Sequence, residues 1–172
     1  MKISAQEEYG LRCLVQLANL PEDETLTLPQ IAEREGISVA NTGKLMWLLN
    51  KAGFVNSTRG TKGGYYLARP AGDISLNEVI KVLEEDEIDK HCESYKGVLD
   101  SCVHKGDCGI RSVITGLHEV VEHALSQVTL AQLIGSELSV GETFHQIKGL
   151  NWELERGVGL RTSQAATQKE LV

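Results

Sequence analysis

The chain has 172 residues, 41% of them hydrophobic and 24% charged, with a formal net charge of −7. That length allows one domain with a real core, or a small head with an oligomerisation element, and leaves no room for two full-sized domains. No apolar run approaches the roughly 20 residues of a membrane span, and the opening MKISAQEEYG has charged and polar residues where a secretory signal needs an apolar core, so a cytoplasmic protein with no membrane partner is expected.

In chain order, Leu11, Leu14, Val15 and Ala18 recur at helical spacing, which predicts a first helix ending before Pro21. Thr27, Pro29 and Gln30 form a capping-box start for a short helix over 28–35, and Gly36 stops it. Ser38 is placed to cap the next helix, which carries Leu45, Leu48 and Leu49 and stops at Gly53. Two short strands, 54–57 and 65–68, flank a loop with three glycines that permit positive φ at a hairpin tip. Ser75 and Glu78 form a second capping box, starting a helix whose Leu76, Val79, Ile80 and Leu83 cover the head.

After an acidic stretch, Ile110, Val113, Ile114, Leu117, Val121, Ala124, Leu125 and Val128 keep one apolar stripe. A single long helix projecting from a small head cannot cover that stripe alone, so the same helix of a second copy is its expected partner, in a homodimer. Thr129 and Gln132 repeat the capping signature for a short further helix. The fold class is therefore mainly α: a winged helix-turn-helix head with a small β-hairpin wing, plus a long C-terminal dimerisation helix. The expected divisions are a DNA-binding head at 1–84, a cysteine-rich loop at 85–109, the dimerisation helix and its short successor at 110–149, and a disordered tail at 150–172.

Charge locates the first candidate site. Residues 1–83 carry nine basic and nine acidic side chains, residues 84–172 eight and fifteen. Within the first group, residues 38–69 hold Lys44, Lys51, Arg59, Lys62 and Arg69 and no acid, which is where a phosphate backbone would dock. In a helix-turn-helix the second helix enters the major groove with its N-terminal residues near base edges, here Ser38, Val39, Ala40, Asn41, Thr42 and Lys44. Asn41 and Thr42 are the candidate base readers. Lys44 and Lys51 suit phosphate, and Arg59 and Lys62 on the wing suit phosphate or the adjacent minor groove of double-stranded DNA. Trp47 and Trp152, few and separated, read as packing residues, and Tyr65 and Tyr66 as braces of the wing.

Cysteine supplies the second site. Cys92, Cys102 and Cys108 fall within seventeen residues, and clustered cytosolic thiols serve more often as metal ligands or redox sensors than as structural disulfides. Thiolates are soft donors that suit iron-sulfur clusters, and Gly97, Gly106 and Gly109 give the loop freedom to wrap. Cys13, on the first helix, reads as a packing residue. No nucleophile–base–orienter pattern, P-loop or carboxylate pair points to an enzyme.

The start MKISAQEEYGLRCLVQLA, the stretch IAEREGISVANTGKLMWLLNKAGFV, the wing RGTKGGYYLARP and the following ISLNEVIKVLEE resemble the Rrf family of winged-helix transcription regulators over roughly residues 1–135. The resemblance implies a homodimer on a partly palindromic operator and, in many members, an iron-sulfur cluster, of the 2Fe-2S type with 4Fe-4S as the alternative, whose state changes DNA affinity. Its donors would be Cys92, Cys102 and Cys108, although the gap between the first two is longer than cluster-binding members usually have. Arg111 stands where the family's iron-sulfur regulator has a histidine ligand, and an arginine cannot ligate. Its nitric-oxide sensor borrows a carboxylate from the partner's first helix, and Glu8 holds the matching position; His104 and His91, in the loop, are rivals. Two other readings keep the fold: zinc on the three cysteines with His104, or a metal-free thiol sensor. A third, an iron-sulfur electron carrier, predicts a cluster without DNA binding.

Overall fold

A computed structural model describes residues 3–21, 23–60, 63–84, 98, 102–104 and 107–148, with 143–148 as helical backbone only. Among them, in chain order, stand α1 (Ala5–Ala18), α2 (Leu28–Glu35), α3 (Val39–Lys51), β1 (Val55–Ser57), β2 (Tyr65–Leu67), a 3-10 turn (Ala71–Asp73), α4 (Leu76–Leu83), α5 (Gly109–Ser126), a second 3-10 turn (Leu130–Leu133) and α6 (Glu137–Lys148).

Capping chemistry starts the helices of the head. The hydroxyls of Ser4, Thr27 and Ser75 each accept from the backbone N–H three residues on, while Glu7, Gln30 and Glu78 accept from the capping residue's own N–H. Each such pair satisfies two donors that the first helical turn leaves without partners. Ser38 caps α3 by accepting from the Asn41 N–H at 3.2 Å. Gly36, left-handed at φ 65°, ends α2 and turns the chain into α3.

β1 and β2 pair antiparallel, with Val55 opposite Leu67 and Ser57 opposite Tyr65. The far edge of β2 is tied to the loop before α2, where the Tyr65 N–H donates to the Leu26 carbonyl at 2.8 Å and the Leu26 N–H to the Tyr65 carbonyl at 3.1 Å. A Cβ on Gly64 would stand 2.8 Å from the Leu26 carbonyl, so this approach of wing to head requires glycine. Helix, turn, helix and hairpin make a winged helix-turn-helix, as expected.

The core is filled by Leu14, Ile31, Leu45, Met46, Leu49, Ile74 and Leu83, all fully buried, each contributing about 1.5–3 kcal/mol by leaving water. The buried face of α1 differs from the predicted stripe. It is made by Glu7, Gly10, Cys13, Leu14 and Leu17, whereas Leu11, Val15 and Ala18 are half-buried. The reason is Gly10: a Cβ there would lie 2.4 Å from Leu83 Cδ1, so the missing side chain lets α4 close onto α1 along that face.

The head also extends past residue 84. Val128 and Leu130 are buried, the Leu76 N–H donates to the Val128 carbonyl at 2.9 Å, and the Leu130 N–H donates to the Ile74 carbonyl at 2.8 Å. Residues 128–133, placed with the dimerisation element from the sequence, are thus a strap across the start of α4. The apolar stripe predicted to run through Val128 belongs to α5 only as far as Leu125. No helix among the described residues is long and apolar enough to cross a membrane, and the expected tail at 150–172 lies outside the described residues.

Candidate nucleic-acid interface and thiol site

The turn at Gly36 and the Ser38 cap present the start of α3 outward. Ser38, Val39, Ala40 and Asn41 are exposed, as is Lys44 one turn on. These residues surround the positive end of the helix dipole, where backbone N–H groups favour an anion. Ala40, Lys44, Trp47 and Lys51 follow at helical spacing on one stripe, opposite the core-facing Leu45 and Leu49.

Two assignments on this helix change. Thr42 is not a base reader: its side chain is fully buried and its hydroxyl donates to the Ser38 carbonyl at 3.1 Å, which fixes the first turn of α3. Trp47 is not a packing residue: it is 59% exposed, with the Lys51 ammonium 5.3 Å from its ring centroid. Periodicity carried the signal for both, since Trp47 falls two residues from each of the core positions Leu45 and Leu49.

On the wing, Arg59 is exposed, and Lys62 lies outside the described residues. Arg69 turns inward to a structural role. Its guanidinium donates to Glu78 at 3.0 Å and lies 5.4 Å from the Phe54 ring centroid. Hydrogen bonds from the Ser75 N–H and from Arg69 hold the Glu78 carboxyl below its ordinary range.

The thiols divide by environment. Cys13 is fully buried in the head's core, where burial pushes its thiol up to about 12, with the nearby Glu35 charge acting in the same direction; it packs, as expected. Cys102 and Cys108 are free and half-buried. Cys108 sits at the N-cap of α5 and its sulfur makes no capping hydrogen bond. His104 is exposed, and Cys92 and His91 lie outside the described residues.

Of the two adjacent carboxylates on α1, Glu7 is buried and held by the cap, its Oε2 accepting from the Ser4 N–H at 2.7 Å. Glu8 is exposed and accepts from Arg12 one turn along, an exposed pairing that is cheaply exchanged. Cys102 and Cys108, both free, suit an anionic metal-thiolate centre in donor type, and Cys108 stands at the positive end of α5. No cluster of three or more potential ligands forms among the described residues.

α5 leaves much of its apolar stripe in water, with Ile110 72%, Val113 63% and Leu117 62% exposed. Between α4 and α5 runs a groove of about 510 Å³, lined by Ile80, Ile114, Leu117, Val121 and Leu125. Its rim carries Lys81, which donates to Glu122 at 2.9 Å, and His118, 3.3 Å from the same carboxylate. The Lys81 ammonium keeps the Glu122 carboxyl below its ordinary range.

The family model described as "Rrf2: Iron-dependent Transcriptional regulator" matches residues 3–136. Protein rrf2 of Nitratidesulfovibrio vulgaris (Hildenborough) is 34% identical over 134 residues, which span 78% of this chain and 87% of that protein. Among solved structures, IscR of T. potens is similar with a TM-score of 0.60 at 34% identity, over 76% of this chain and 84% of that one. CymR (YrzC), the global cysteine regulator of B. subtilis, is similar with a TM-score of 0.60 at 28% identity, over 78% and 99%. The family match, over residues 3–136, spans the head and α5 together.

Proposed function

Because the chain belongs to the Rrf2 family of transcriptional regulators, we propose that this DNA-binding regulator is a homodimeric repressor whose operator affinity follows the state of an iron-sulfur cluster. α3 and the wing meet the duplex. Val39, Ala40 and Asn41 face base edges, Ser38 holds the turn, and Lys44, Lys51, Arg59 and Lys62 meet phosphate. Thr42 acts from inside the head by fixing the first turn of α3.

The cluster, of the 2Fe-2S type, would be held by Cys92, Cys102 and Cys108 with Glu8 of the partner subunit. When bound it supplies a one-electron redox change and sensitivity to oxidants, nitric oxide or iron supply. The chain's own residues do the rest. Cys108 anchors the site to the first residue of α5, and the apolar stripe of α5 needs a second copy to cover it. The single observation that carries this reading is that thiol at the start of a helix whose apolar face is open. It gives cluster occupancy a direct purchase on dimer geometry, and dimer geometry sets the spacing of the two recognition helices. The protein would act in the cytoplasm, where its thiols stay reduced.

Anaerobic purification followed by visible absorption and iron and sulfide assay tests it. A brown protein with stoichiometric sulfide is expected, bleached in Cys92→Ala, Cys102→Ala and Cys108→Ala and spectrally altered in Glu8→Ala. A colourless protein with zinc or no metal overturns the cluster and leaves the DNA-binding head. The second reading, a metal-free thiol sensor, is favoured by the similarity to a cysteine regulator. In it two of the loop thiols give up two electrons and two protons to a cellular oxidant and form a disulfide.

A further inference from the structure

Trp47 is the most exposed aromatic side chain among the described residues. An indole left in water forgoes the burial that makes tryptophan useful, and the core is not its destination, because Leu45, Met46 and Leu49 already fill the inward face of α3. The ring is nevertheless held: the Lys51 ammonium stands 5.3 Å from its centroid, and Lys44 lies one turn before it on the same stripe. Its surroundings are cationic, with no acid anywhere in residues 38–69.

Position along the helix identifies what it meets. Trp47 lies seven residues beyond Ala40, about 10 Å along the axis at 1.5 Å per residue. The major groove is about 12 Å wide. With the N-terminal turn of α3 at the base edges, a side chain that far along reaches the groove wall, where deoxyribose and phosphate stand.

We propose that Trp47 is a DNA-backbone contact, its ring covering a deoxyribose and its indole N–H donating to a phosphodiester oxygen that the Lys51 ammonium also pairs. This rests on the DNA-binding reading and deepens it. Trp47 is a positioning residue: it fixes how far α3 enters the groove and does not read sequence, because sugar and phosphate are the same at every step. A lone ring also differs from the row of aromatics that binds single strands.

The test uses the full-length chain carrying Trp152→Phe, so that Trp47 is the sole tryptophan, and duplexes that the wild-type protein selects from a randomised pool. Saturating duplex is expected to quench and blue-shift Trp47 emission. Trp47→Ala should weaken binding about tenfold with an unchanged circular dichroism spectrum, and a second selection with this variant should return the same consensus. Lys51→Gln should lower the slope of log affinity against log salt by about 0.9, and Trp47→Ala should lower it far less. Emission unmoved by saturating duplex, or affinity retained within about twofold, overturns the proposal. So does emission that tracks protein concentration without DNA, which would place the ring in a protein contact. If the wild-type chain retains no duplex from the pool, the DNA-binding reading falls with it; failure confined to Trp47 leaves that reading intact.

Discussion

The head and α5 are built from similar proportions of apolar residues and end in opposite states. In the head, α1, α3 and α4 turn their leucines inward and the strap at 128–133 closes the remaining side, so Leu14, Leu45, Leu49 and Leu83 meet no water. α5 has a stripe of the same kind, yet its Ile110, Val113 and Leu117 stand open. One region satisfies itself. The other carries a surface of the kind that an ordinary monomer does not leave uncovered, which is the physical ground for the proposed second copy.

The largest expected effect separates the two directly. Leu49→Ala should cost about 2–5 kcal/mol, read as a lowered denaturant midpoint that is the same at every protein concentration. Leu117→Ala should cost under about 0.5 kcal/mol in dilute protein, with a larger loss that grows with concentration as association sets in. Equal, concentration-independent losses would erase the distinction.

Two glycines sharpen it at the next level. Gly10→Ala drives a Cβ into Leu83 and should cost about 1–3 kcal/mol in thermal melts. Gly116, within α5, has nothing within 4 Å of an added Cβ, so Gly116→Ala should stabilise the chain by about 0.5–1 kcal/mol. A penalty at Gly116 seen only at high concentration would place the partner's backbone against it.

Titration contrasts the regions more gently. The Cys13 thiol is raised from its ordinary 9.0 to about 12, so it is neutral in both states below pH 9. Above that the unfolded chain loses the proton first, and stability falls as pH rises from about 9 towards 12. Cys13→Ala should flatten that alkaline limb in pH-dependent melts. In the folded, cluster-free protein iodoacetamide should label Cys102 and Cys108, and Cys13 only after denaturation. Glu78 has the opposite sign, because its folded value lies below the unfolded one. Its contribution is present at neutral pH and is lost as acid carries the pH down through the folded value. For so exposed a pair the whole effect is a few tenths of a kcal/mol, and Glu78→Gln should remove it.

Much of the head is legible in the sequence because its signals are local. The boxes at Thr27 and Ser75, the stop at Gly36 and the glycines of the wing each act within four or five residues. What the sequence hid was non-local. The role of Gly10 depends on Leu83, and nothing near residue 130 says that the chain returns to lie across α4. Thr42 and Trp47 exchanged expected roles although helical periodicity carried the signal for both. A hydroxyl enters a core without penalty once a neighbouring carbonyl accepts from it, as Ser38 does here, and an indole stays outside when the inward positions are already taken by Leu45 and Leu49. At the thiol site the residue types were legible, and the commitments of individual groups were not. Glu7 is the exception, because the capping-box spacing of Ser4 and Glu7 already assigns it to the cap, while Glu8 is held by one exposed arginine.

The burial of Leu130 also dictates an order of events during synthesis. As the chain leaves the ribosome, the segment with Cys92, Cys102 and Cys108 emerges before the last side chain that the DNA-binding head needs to seal its interior. Domains generally fold as units once their residues are available, so this head finishes only after the three thiols have emerged. On the proposed function, the chain's three cysteine donors are thus out of the ribosome before its own DNA-binding head is complete.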